Sequence, residues 1–406
     1  MNKEYVKLPN AWEWRKLGDV CEKITDGSHF SPKATETGYP YITVKDVNDE
    51  GKIDFKNCLF ISEDDFCKLK ASSCNPLKND VLFSKDGTVG KVSIVDFAAD
   101  FVVLSSLAIL RPSKKLDSYY LAYAMKNPSF LKYAEDKKTG AAIKRVVLRT
   151  IKEFHIPLPP LEEQKRIVQK LDGLFAKADK AIALLDESIA SASALLPSVL
   201  NEVFDLEVIE KWGKFQFDKI AKFIDYRGKT PVKTEYGIIL ITAKNVRFGY
   251  LSKEPKEFIA SEAYDGWMTR GIPKAGDILF TTEAPLGNVA LLDTNEKRAF
   301  AQRLVTFQKI SDDYDSKFLY WYLLSPIFQK ELNDSATGTT VKGIKASVLK
   351  KFEIPLPPLN IQTEVVAHLD AVRDKSERLS AKLKVQRDEL VALKASLLDK
   401  AFKGEL

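Results

Sequence analysis

Few residue groups in this chain have the types and spacing that catalysis requires. Asn127-Pro-Ser-Phe130 differs by one residue from the Asn-Pro-Pro-aromatic motif with which amino-methyltransferases hold a flipped base. Ser325-Pro-Ile-Phe328 has a similar outline. Asn or Ser followed by Pro is also a common helix start, with the polar residue as N-cap and Pro in the first turn. A helix start explains both segments, whereas methyl transfer explains only the first.

Other patterns are further from an active site. Gly87-Thr-Val-Gly-Lys91 has the wrong Gly spacing for a phosphate loop and no Ser or Thr after its Lys, so a β-turn is the better interpretation. Glu283 lacks the Lys two residues later that a metal-dependent nuclease would have. The sequence has no G-x-G-x-x-G fingerprint, and its three histidines are scattered. We therefore predict no catalytic residue, no metal site and no bound cofactor.

Positive charge is better organised than catalytic groups. From Lys137 to Lys152 the chain has six basic residues and no acid, and they surround Thr139-Gly140. Residues 335–352 repeat this pattern around Thr337-Gly338, again without an acid. A basic run is usually only a solvated surface, but its recurrence favours a function. A Gly-containing basic loop suits close approach to a phosphate backbone.

A second pair of candidate loops follows the first helix of each half. These loops are residues 26–33, Asp-Gly-Ser-His-Phe-Ser-Pro-Lys, and residues 225–233, Asp-Tyr-Arg-Gly-Lys-Thr-Pro-Val-Lys. Both carry hydrogen-bonding side chains and an aromatic ring. The predicted DNA-binding residues are Ser28, His29, Lys33, Lys85, Lys138, Thr139, Gly140, Lys144, Arg145, Tyr226, Arg227, Lys229, Thr337, Gly338, Thr340, Lys342 and Lys345.

The chain is an internal duplication. Ile-Pro-Leu-Pro-Pro-Leu occurs at 156–161 and again at 354–359, 198 residues later in a chain of 406. Further pairs at an offset of 197 or 198 are Trp14 with Trp212, Gly90 with Gly287, Leu171-Asp172 with Leu369-Asp370, and Phe204 with Phe402. Repeats of about 20–50 residues form solenoids, whereas this repeat is the size of a domain. Two such units suit a target with two parts.

Each half divides into a mixed region and a long helix. Short β-type runs and turn signals fill the mixed regions, and Pro160 and Pro358 precede the helices. The first helix has an apolar heptad seam at Leu161, Gln164, Val168, Leu171, Phe175, Ala178, Ile182, Leu185, Ile189, Ala192, Leu196, Val199 and Val203. The second seam, more polar, is Val365, Leu369, Val372, Ser376, Leu379, Leu383, Gln386, Leu390, Leu393 and Leu397. Such seams predict that the two helices pack on each other.

The predicted fold class is α+β. Two mixed α/β domains, residues 1–157 and 206–355, are expected to be related by pseudo-two-fold symmetry. Two long helices, residues 158–205 and 356–406, are expected to separate them as an antiparallel coiled coil. Pro197 should kink the first helix near its end.

Composition is that of an ordinary globular protein. The net charge of +6 permits nucleic-acid binding without requiring it. All four cysteines lie in the first half without a C-x-x-C pair, and they are expected to be reduced thiols. The N-terminus lacks an apolar signal core, and we expect no membrane-spanning stretch, so the cytoplasm is the expected compartment.

Together these features resemble one family. The Trp opening, the Asp-Gly-Ser-His and Tyr-Arg-Gly-Lys-Thr-Pro loops, the Thr-Gly loop and the Ile-Pro-Leu-Pro-Pro-Leu-Glu-Glu-Gln-Lys block resemble the specificity subunit of a type I restriction–modification system. The resemblance covers both halves. The second copy departs from the block, reading Leu359-Asn-Ile-Gln-Thr363, and keeps only Gln362 of its polar part.

The resemblance implies a division of labour. Each mixed region would be a target recognition domain that reads one half of a bipartite site in double-stranded DNA. The helices would set the spacer and dock modification subunits, which carry S-adenosylmethionine, with restriction subunits joining through the complex. The chain itself would be non-catalytic. Two alternatives remain open: a methyltransferase or nuclease with an unrecognised active site, and a coiled-coil adaptor without a DNA role.

Overall fold

The structure is a computed structural model that describes residues 7–139, 145–228, 230–338 and 341–406. It divides into two compact units. Unit 1 comprises Met1–Asp186 and Val385–Leu406, and unit 2 comprises Glu187–Lys384. Each unit holds one mixed α/β domain and part of both long helices. The predicted fold class, two mixed domains with two long helices packed together, is confirmed.

The elements of unit 1 begin with its mixed domain. Its strands are β1 Glu13–Lys16, β2 Cys21–Asp26, β3 Tyr39–Ile42, β4 Leu59–Ile61, β5 Val81–Ser84, β6 Val92–Ile94, β7 Val102–Val103, β8 Leu107–Pro112 and β9 His155–Leu158. Its helices are α1 Leu17–Val20, α2 Glu63–Ala71, α3 Ser118–Lys126, α4 Pro128–Asp136 and α5 Leu148–Lys152. The long helix α6 follows at Leu161–Val203.

Unit 2 repeats this order with small additions. Its strands are β10 Gly213–Gln216, β11 Ala221–Asp225, β12 Lys233–Thr234, β13 Ile238–Ile241, β14 Val246–Arg247, β15 Tyr250–Leu251, β16 Phe258–Ile259, β17 Ile278–Thr282, β18 Leu286–Leu291, β19 Ala299–Phe300, β20 Leu304–Lys309 and β21 Glu353–Leu356. Its helices are α7 Leu206–Ile209, α8 Phe217–Ile220, α9 Tyr264–Trp267, α10 Ser316–Leu324, α11 Pro326–Ser335 and α12 Ala346–Leu349. The second long helix, α13, is Leu359–Lys403.

Among the described residues, each domain is built on a four-stranded antiparallel sheet. The strand order is β2-β8-β5-β6 in unit 1 and β11-β20-β17-β18 in unit 2. The registers correspond, because Asp26 lies opposite Ala108 and Asp225 lies opposite Val305. Every residue of β5 and β17 is buried, as expected for central strands covered on both faces. The C-terminal ends of β2 and β5 and the start of β8 therefore share one end of the sheet, and unit 2 has the same arrangement.

Helix starts follow the polar N-caps that the sequence indicates. The side chain of Asn127 accepts a hydrogen bond of 2.8 Å from the backbone N–H of Ser129, and Pro128 occupies the first turn of α4. Ser325 caps α11 in the same way, through the backbone N–H of Phe328. The interpretation of both Asn/Ser-Pro segments as helix starts is confirmed, since the polar side chain satisfies a free backbone donor.

The two long helices run antiparallel within each unit. In unit 1, Asp179 of α6 pairs with Lys394 of α13 at 2.5 Å, and Asp186 pairs with Arg387 at 2.6 Å. Residue numbers rise along one helix as they fall along the other. In unit 2 the Ser376 hydroxyl of α13 donates to the carbonyl of Ala192 at 2.6 Å.

Each long helix begins in one domain core and ends in the other. Leu171, near the start of α6, is buried in the core of unit 1. The ring of Phe402, near the end of α13, packs there against the ring of Tyr120, with 5.1 Å between the ring centroids. In unit 2, Phe204 at the end of α6 lies 5.7 Å from Phe318. Because 204 and 402 are repeat-equivalent positions, so are their ring partners 120 and 318, and the duplication extends to the packing of helix ends.

The predicted seam of α6 is confirmed, because all of its residues are buried or half-buried. The seam of α13 is wrong at Leu379, Gln386 and Leu393, which are exposed. The exposed positions alternate with Ser376, Leu383 and Leu390, which are buried or half-buried, so one of the two rows of the predicted seam faces solvent. A strict heptad pattern drifts by about 20° per repeat relative to a straight helix, which turns this second row away from the packed face.

Two further expectations are corrected. Helix Leu161–Ile209 is long and apolar enough to cross a membrane by length and composition, with an 18-residue window of mean hydropathy 1.3, whereas the sequence was expected to have no such stretch. That window is 6% buried in the structure, while Leu171 and Phe204 toward the two ends of this stretch lie in the domain cores.

The second correction concerns the Trp opening. Leu17 donates its backbone N–H to Phe154, and Phe217 donates to Phe352, so the repeat offset at this point is 200. The counterpart of Trp212 is therefore Trp12 rather than Trp14, and both pack against the core of their unit. Backbone hydrogen bonds define this register, which small differences in loop length conceal in the sequence.

Candidate nucleic-acid interface

The two kinds of candidate loop meet at the same end of the four-stranded sheet. In unit 1 the backbone N–H of Val146, directly after the Thr-Gly loop, donates to the backbone carbonyl of Lys85 at 2.8 Å. Lys85 follows β5 and contacts Asp26, the last residue of β2. The matching bond in unit 2 runs from the backbone N–H of Ile344 to the backbone carbonyl of Thr282, at 3.0 Å. Segments that are more than 100 residues apart in sequence are thus joined at one surface.

Each Thr-Gly loop is closed by a pair of backbone hydrogen bonds. Thr139 and Arg145 exchange N–H to carbonyl bonds of 2.9 Å in both directions, and so do Thr337 and Gly343. A Cβ at Gly338, where φ is +110°, would meet the carbonyl oxygen of Val341 at 2.2 Å. Glycine is needed there because the loop folds back on itself.

Eight of the residues that the sequence predicted for DNA binding are exposed in or beside the loops. His29, Lys33, Thr139, Arg145, Thr337, Gly338, Lys342 and Lys345 are all exposed. Lys138 is half-buried and pairs with Glu135, so part of its charge is neutralised within its own unit. Gly140, Lys144, Lys229 and Thr340 lie outside the described residues.

The structure gives some predicted residues internal contacts instead. The Lys85 side chain is only 5% exposed, and its Nζ lies 3.2 Å from Asp26 and 3.5 Å from Asp86. The buried hydroxyl of Ser28 donates to the carbonyl of Phe30 in a local turn. Lys85 therefore holds the loop after β2 against the end of β5, where it is covered from a ligand. The neighbouring Gly27 also packs tightly, since a Cβ there would lie 2.0 Å from the Val103 carbonyl oxygen.

Unit 2 has the same ion pair with its cation on another segment. Asp225 occupies the position of Asp26, and Arg227 binds both of its carboxylate oxygens, at 2.8 and 2.6 Å. Arg227 also reaches the Thr282 hydroxyl and the Ile344 carbonyl oxygen, both at 3.4 Å. Burial acts to raise the pKa of Asp225, but the bonds from Arg227 outweigh it and hold that pKa below its usual value. A carboxylate at the end of the strand is thus bound by Lys85 in one unit and by Arg227 in the other.

The buried side chain of Tyr226 links the loop after β11 to residues 270–271. Its ring is buried, its hydroxyl donates to the Gly271 carbonyl at 2.8 Å, and it accepts from the backbone N–H of Arg270 at 2.8 Å. The Arg270 guanidinium donates in turn to the carbonyl oxygens of Asp225 and Arg227. The loop is therefore braced by a residue that sequence reasoning missed, because nothing in the pattern around Arg270 connects it with residues 225–227.

A second missed feature is the turn between β19 and β20. Gln302 and Arg303 both have left-handed backbone conformations, with φ of 52° and 59°. Such a conformation costs about 1–2 kcal/mol for a residue other than glycine. The Arg303 carbonyl accepts from Thr282, and its guanidinium lies 3.1 Å from Glu283, so the turn borders the same surface. The available sequence signal was a Gln-Arg pair between two strands, where Gly, Asn or Ser is usual.

The described residues of this surface do not form an arrangement that resembles an enzyme centre. Among residues 7–139, 145–228, 230–338 and 341–406, no cluster of His, Cys, Asp and Glu could hold a metal ion. All four cysteines are free thiols, and burial raises the pKa of Cys21 to about 12. The amine of Lys91, in the segment that resembled a phosphate loop, donates to the Val47 carbonyl at 2.6 Å. Fold and surface thus define a class, a duplicated two-domain protein with one basic loop surface on each domain.

Comparisons with known proteins identify the family within this class. The family model described as type I restriction modification DNA specificity domain matches residues 9–185 and again 210–386. The chain therefore belongs to that family, and it is the DNA specificity subunit of a type I restriction–modification system, a non-catalytic part of the complex. The resemblance inferred from the sequence is confirmed.

Individual relatives extend over almost the whole chain. The type I restriction enzyme MjaVIII specificity subunit of Methanocaldococcus jannaschii is 28% identical over 391 residues, which cover 90% of this chain and 87% of that protein. The EcoKI specificity subunit of Escherichia coli is 22% identical, covering 98% and 90%.

Two solved structures show the same fold. A chain from a structure on complex assembly and conformational transition of the type I R-M system matches with a TM-score of 0.78 at 21% identity, covering 98% of this chain and 100% of that one. The crystal structure of the HsdS subunit from Thermoanaerobacter tengcongensis matches with a TM-score of 0.63 at 20% identity, covering 100% and 99%.

Proposed function

We propose that each unit reads one half of a bipartite site in double-stranded DNA, through the loops at the end of its four-stranded sheet. The observation that carries this proposal is the repetition of one loop geometry in two units. Thr139 and Thr337 close equivalent loops with equivalent bonds, and both loops are anchored to the C-terminal end of the central strand, at Lys85 and at Thr282. A protein with one binding surface would have no need to keep this geometry twice.

The exposed cations of the Thr-Gly loops are proposed to contact DNA phosphates. Arg145, Lys342 and Lys345 are exposed, and we include Lys144 from the same basic run. Phosphate contacts position a protein on the duplex, whereas contacts to base edges select the sequence. His29 and Lys33, on the exposed part of the other loop, are proposed as further contacts in unit 1. Lys85, Ser28 and Tyr226 are proposed to support this surface from within.

The long helices are proposed to dock modification subunits that carry S-adenosylmethionine, with restriction subunits joining through the complex. Support comes from apolar side chains that the helices leave in solvent. Leu184 and Leu393 in unit 1 are 55% and 47% exposed, and Leu195 and Leu379 in unit 2 are 39% and 44% exposed. Exposed apolar surface on a helix is typical of a protein–protein contact. Since the complex acts on cellular DNA, we place it in the cytoplasm.

The test is an exchange of one domain. Residues 1–155 are replaced by the equivalent region of a relative, the chain is expressed with its modification subunits, and methylated sites are mapped across the host genome. We expect one half of the target to change while the other half stays the same. The reciprocal exchange of residues 206–355 should change the other half.

A change of both halves by either exchange would contradict independent reading. The purified chain, mixed with S-adenosylmethionine and target DNA, separates this proposal from an enzyme: methyl transfer without partner subunits would contradict it. Absence of salt-dependent DNA binding would favour the adaptor alternative, because phosphate contacts release counterions and so weaken as salt rises.

A further inference from the structure

We propose that Gln302 and Arg303 are base-reading residues of unit 2, which select the bases of its half-site. The proposal rests on the DNA-reading function above and assigns part of its sequence selectivity to a turn outside both predicted loops. The two residues connect β19 to β20, at the end of the sheet where the loop after β11 and the Thr-Gly loop meet.

The position of the turn follows from its hydrogen bonds. The backbone N–H of Thr282 donates to the Arg303 carbonyl at 3.0 Å. Gln302 Nε2 donates to the hydroxyl of Thr230, in the loop after β11, at 3.2 Å. Arg303 Nε lies 3.1 Å from Glu283, whose backbone bridges Gly343 of the Thr-Gly loop. The turn thus contacts the end of β17 and the loop after β11, and it is linked to the Thr-Gly loop through Glu283.

The backbone conformation of the turn is unfavourable for residues that carry a side chain. Both residues have φ between 50° and 60°, a region that glycine occupies without strain. The equivalent positions in unit 1 are Ser105 and Ser106, which have no positive φ. Their turn makes the matching bond, from the Lys85 N–H to the Ser106 carbonyl, at 2.9 Å. This bond forms in unit 1 with two serines and without a left-handed backbone, so it does not require Gln or Arg, and their presence in unit 2 points to a use of the side chains.

The chemistry of the pair matches base edges better than phosphates. Arg can donate two hydrogen bonds to the O6 and N7 atoms of guanine, and Gln can make a bidentate pair with adenine. The Arg303 side chain is 52% exposed, and its partner Glu283 is 46% exposed. A carboxylate beside the guanidinium orients it and reduces its attraction for a phosphate, while a neutral base edge is not repelled.

The experiment compares glycine variants in the assembled complex. Arg303→Gly and Gln302→Gly remove each side chain and permit the same left-handed turn. The control is Asn79→Gly in unit 1, another exposed residue with positive φ, at 73°, whose unit 2 counterpart is Gly276. Each variant is expressed with its modification subunits, methylated sites are mapped, and thermal unfolding and salt-dependent DNA binding are measured on the purified protein.

We expect Arg303→Gly to relax one guanine position in one half-site, with discrimination there falling roughly 5- to 150-fold. Gln302→Gly should relax a neighbouring adenine position. The other half-site should be unchanged, and the unfolding temperature should not fall, because glycine relieves strain. Arg303→Lys, which keeps the charge and loses the planar fork, should behave as Arg303→Gly does in specificity. Asn79→Gly should leave the whole target sequence unchanged.

Three results would overturn the assignment. Unchanged specificity of the glycine variants would mean that the side chains do not read bases. Uniform weakening at all sites, with the salt slope lower by about one, would identify Arg303 as a phosphate contact. A fall in unfolding temperature with no change at one base position would identify a structural turn. The exchange of residues 1–155 described above tests the proposed function separately, in a chain that keeps Gln302 and Arg303. If the exchange changes only one half of the target while the glycine variants fail, the proposed function stands and only the role of these two residues is wrong.

Discussion

The side-chain oxygen of Gln164 accepts a hydrogen bond of 2.8 Å from the backbone N–H of Asp117. Gln362 forms the same bond with Asp315, also at 2.8 Å. Both Gln side chains are fully buried, and each amide nitrogen donates to a carbonyl of the proline segment before its helix. Each long helix is therefore tied by its first turn to the start of α3 or α10. This explains why Gln362 is kept in the second copy when its neighbours differ.

Replacing Gln164 by Met should destabilise unit 1. Met has similar length but cannot accept from Asp117, and a buried unsatisfied donor costs about 1–3 kcal/mol. Denaturant unfolding measures the change. Gln169→Met, on the exposed side of the same helix, is the control, and we expect it to change stability by less than about 0.5 kcal/mol. Equal stability of the two variants would show that the Gln164 bond contributes nothing.

A buried carboxylate should make unit 2 sensitive to pH. Asp277 is equivalent to Asp80, but Asp80 is bound by Arg111, whereas Asp277 is bound by the neutral Gln308. Burial raises the pKa of Asp277 above its ordinary value of 3.8. Because the pKa of Asp277 is higher in the folded state, its protonated form stabilises the folded protein at pH values below the pKa of the unfolded state. This stabilisation is lost as the pH rises through the pKa of the folded state.

Gln308→Arg should therefore stabilise unit 2 at pH 7, by about 1 kcal/mol or more, because it supplies the cation that unit 1 has. The gain should disappear at acidic pH, where Asp277 is protonated. Thermal unfolding from pH 3 to 8 would test this. The reverse change, Arg111→Gln, should destabilise unit 1 at neutral pH. A gain for Gln308→Arg that persists at low pH would argue against a role of the Asp277 charge.

The Thr-Gly loops should contribute affinity without sequence preference. Lys342→Ala and Lys345→Ala should each weaken DNA binding at all sequences and lower the salt slope by about one. Lys382→Ala, an exposed position on α13, should leave the slope unchanged. Arg145 is tested in the same way, and a loss confined to one base position would show that it reads guanine. Unchanged affinity after substitution of Lys144, Arg145, Lys342 and Lys345 together would remove these loops from the interface.

The long helices should set the unread spacer of the target. Both helices pass between units, α6 after Asp186 and α13 after Lys384. Inserting four residues at both points leaves the helix pairing within each unit intact and adds about 6 Å of rise. DNA advances about 3.4 Å per base pair, so the spacer should lengthen by one or two base pairs with unchanged half-sites. Methylation mapping would reveal this, and an unchanged spacer with full activity would assign the separation to another part of the protein.

The sequence by itself determined the features that local chemistry and repetition specify. The hexapeptide at 156–161 and 354–359 revealed the duplication, because identity at a fixed offset does not depend on the fold. The Asn/Ser-Pro helix starts and the α6 seam were predicted correctly, since capping and helical periodicity act over a few residues. The Thr-Gly loops were located in the same way, and their contacts with DNA stay predictions.

The tertiary structure decided which charges are exposed and which segments meet. Lys85 and Arg145 are both basic residues that the sequence predicted to bind DNA, yet Lys85 is buried between two carboxylates and Arg145 is exposed. Burial depends on strands that are distant in the sequence, such as β2 and β8 with Asp26 opposite Ala108, so no local pattern contains it. The strained Gln302-Arg303 turn and the brace from Arg270 became visible for the same reason. Their partners are distant in the chain, and only the packed sheet brings them together.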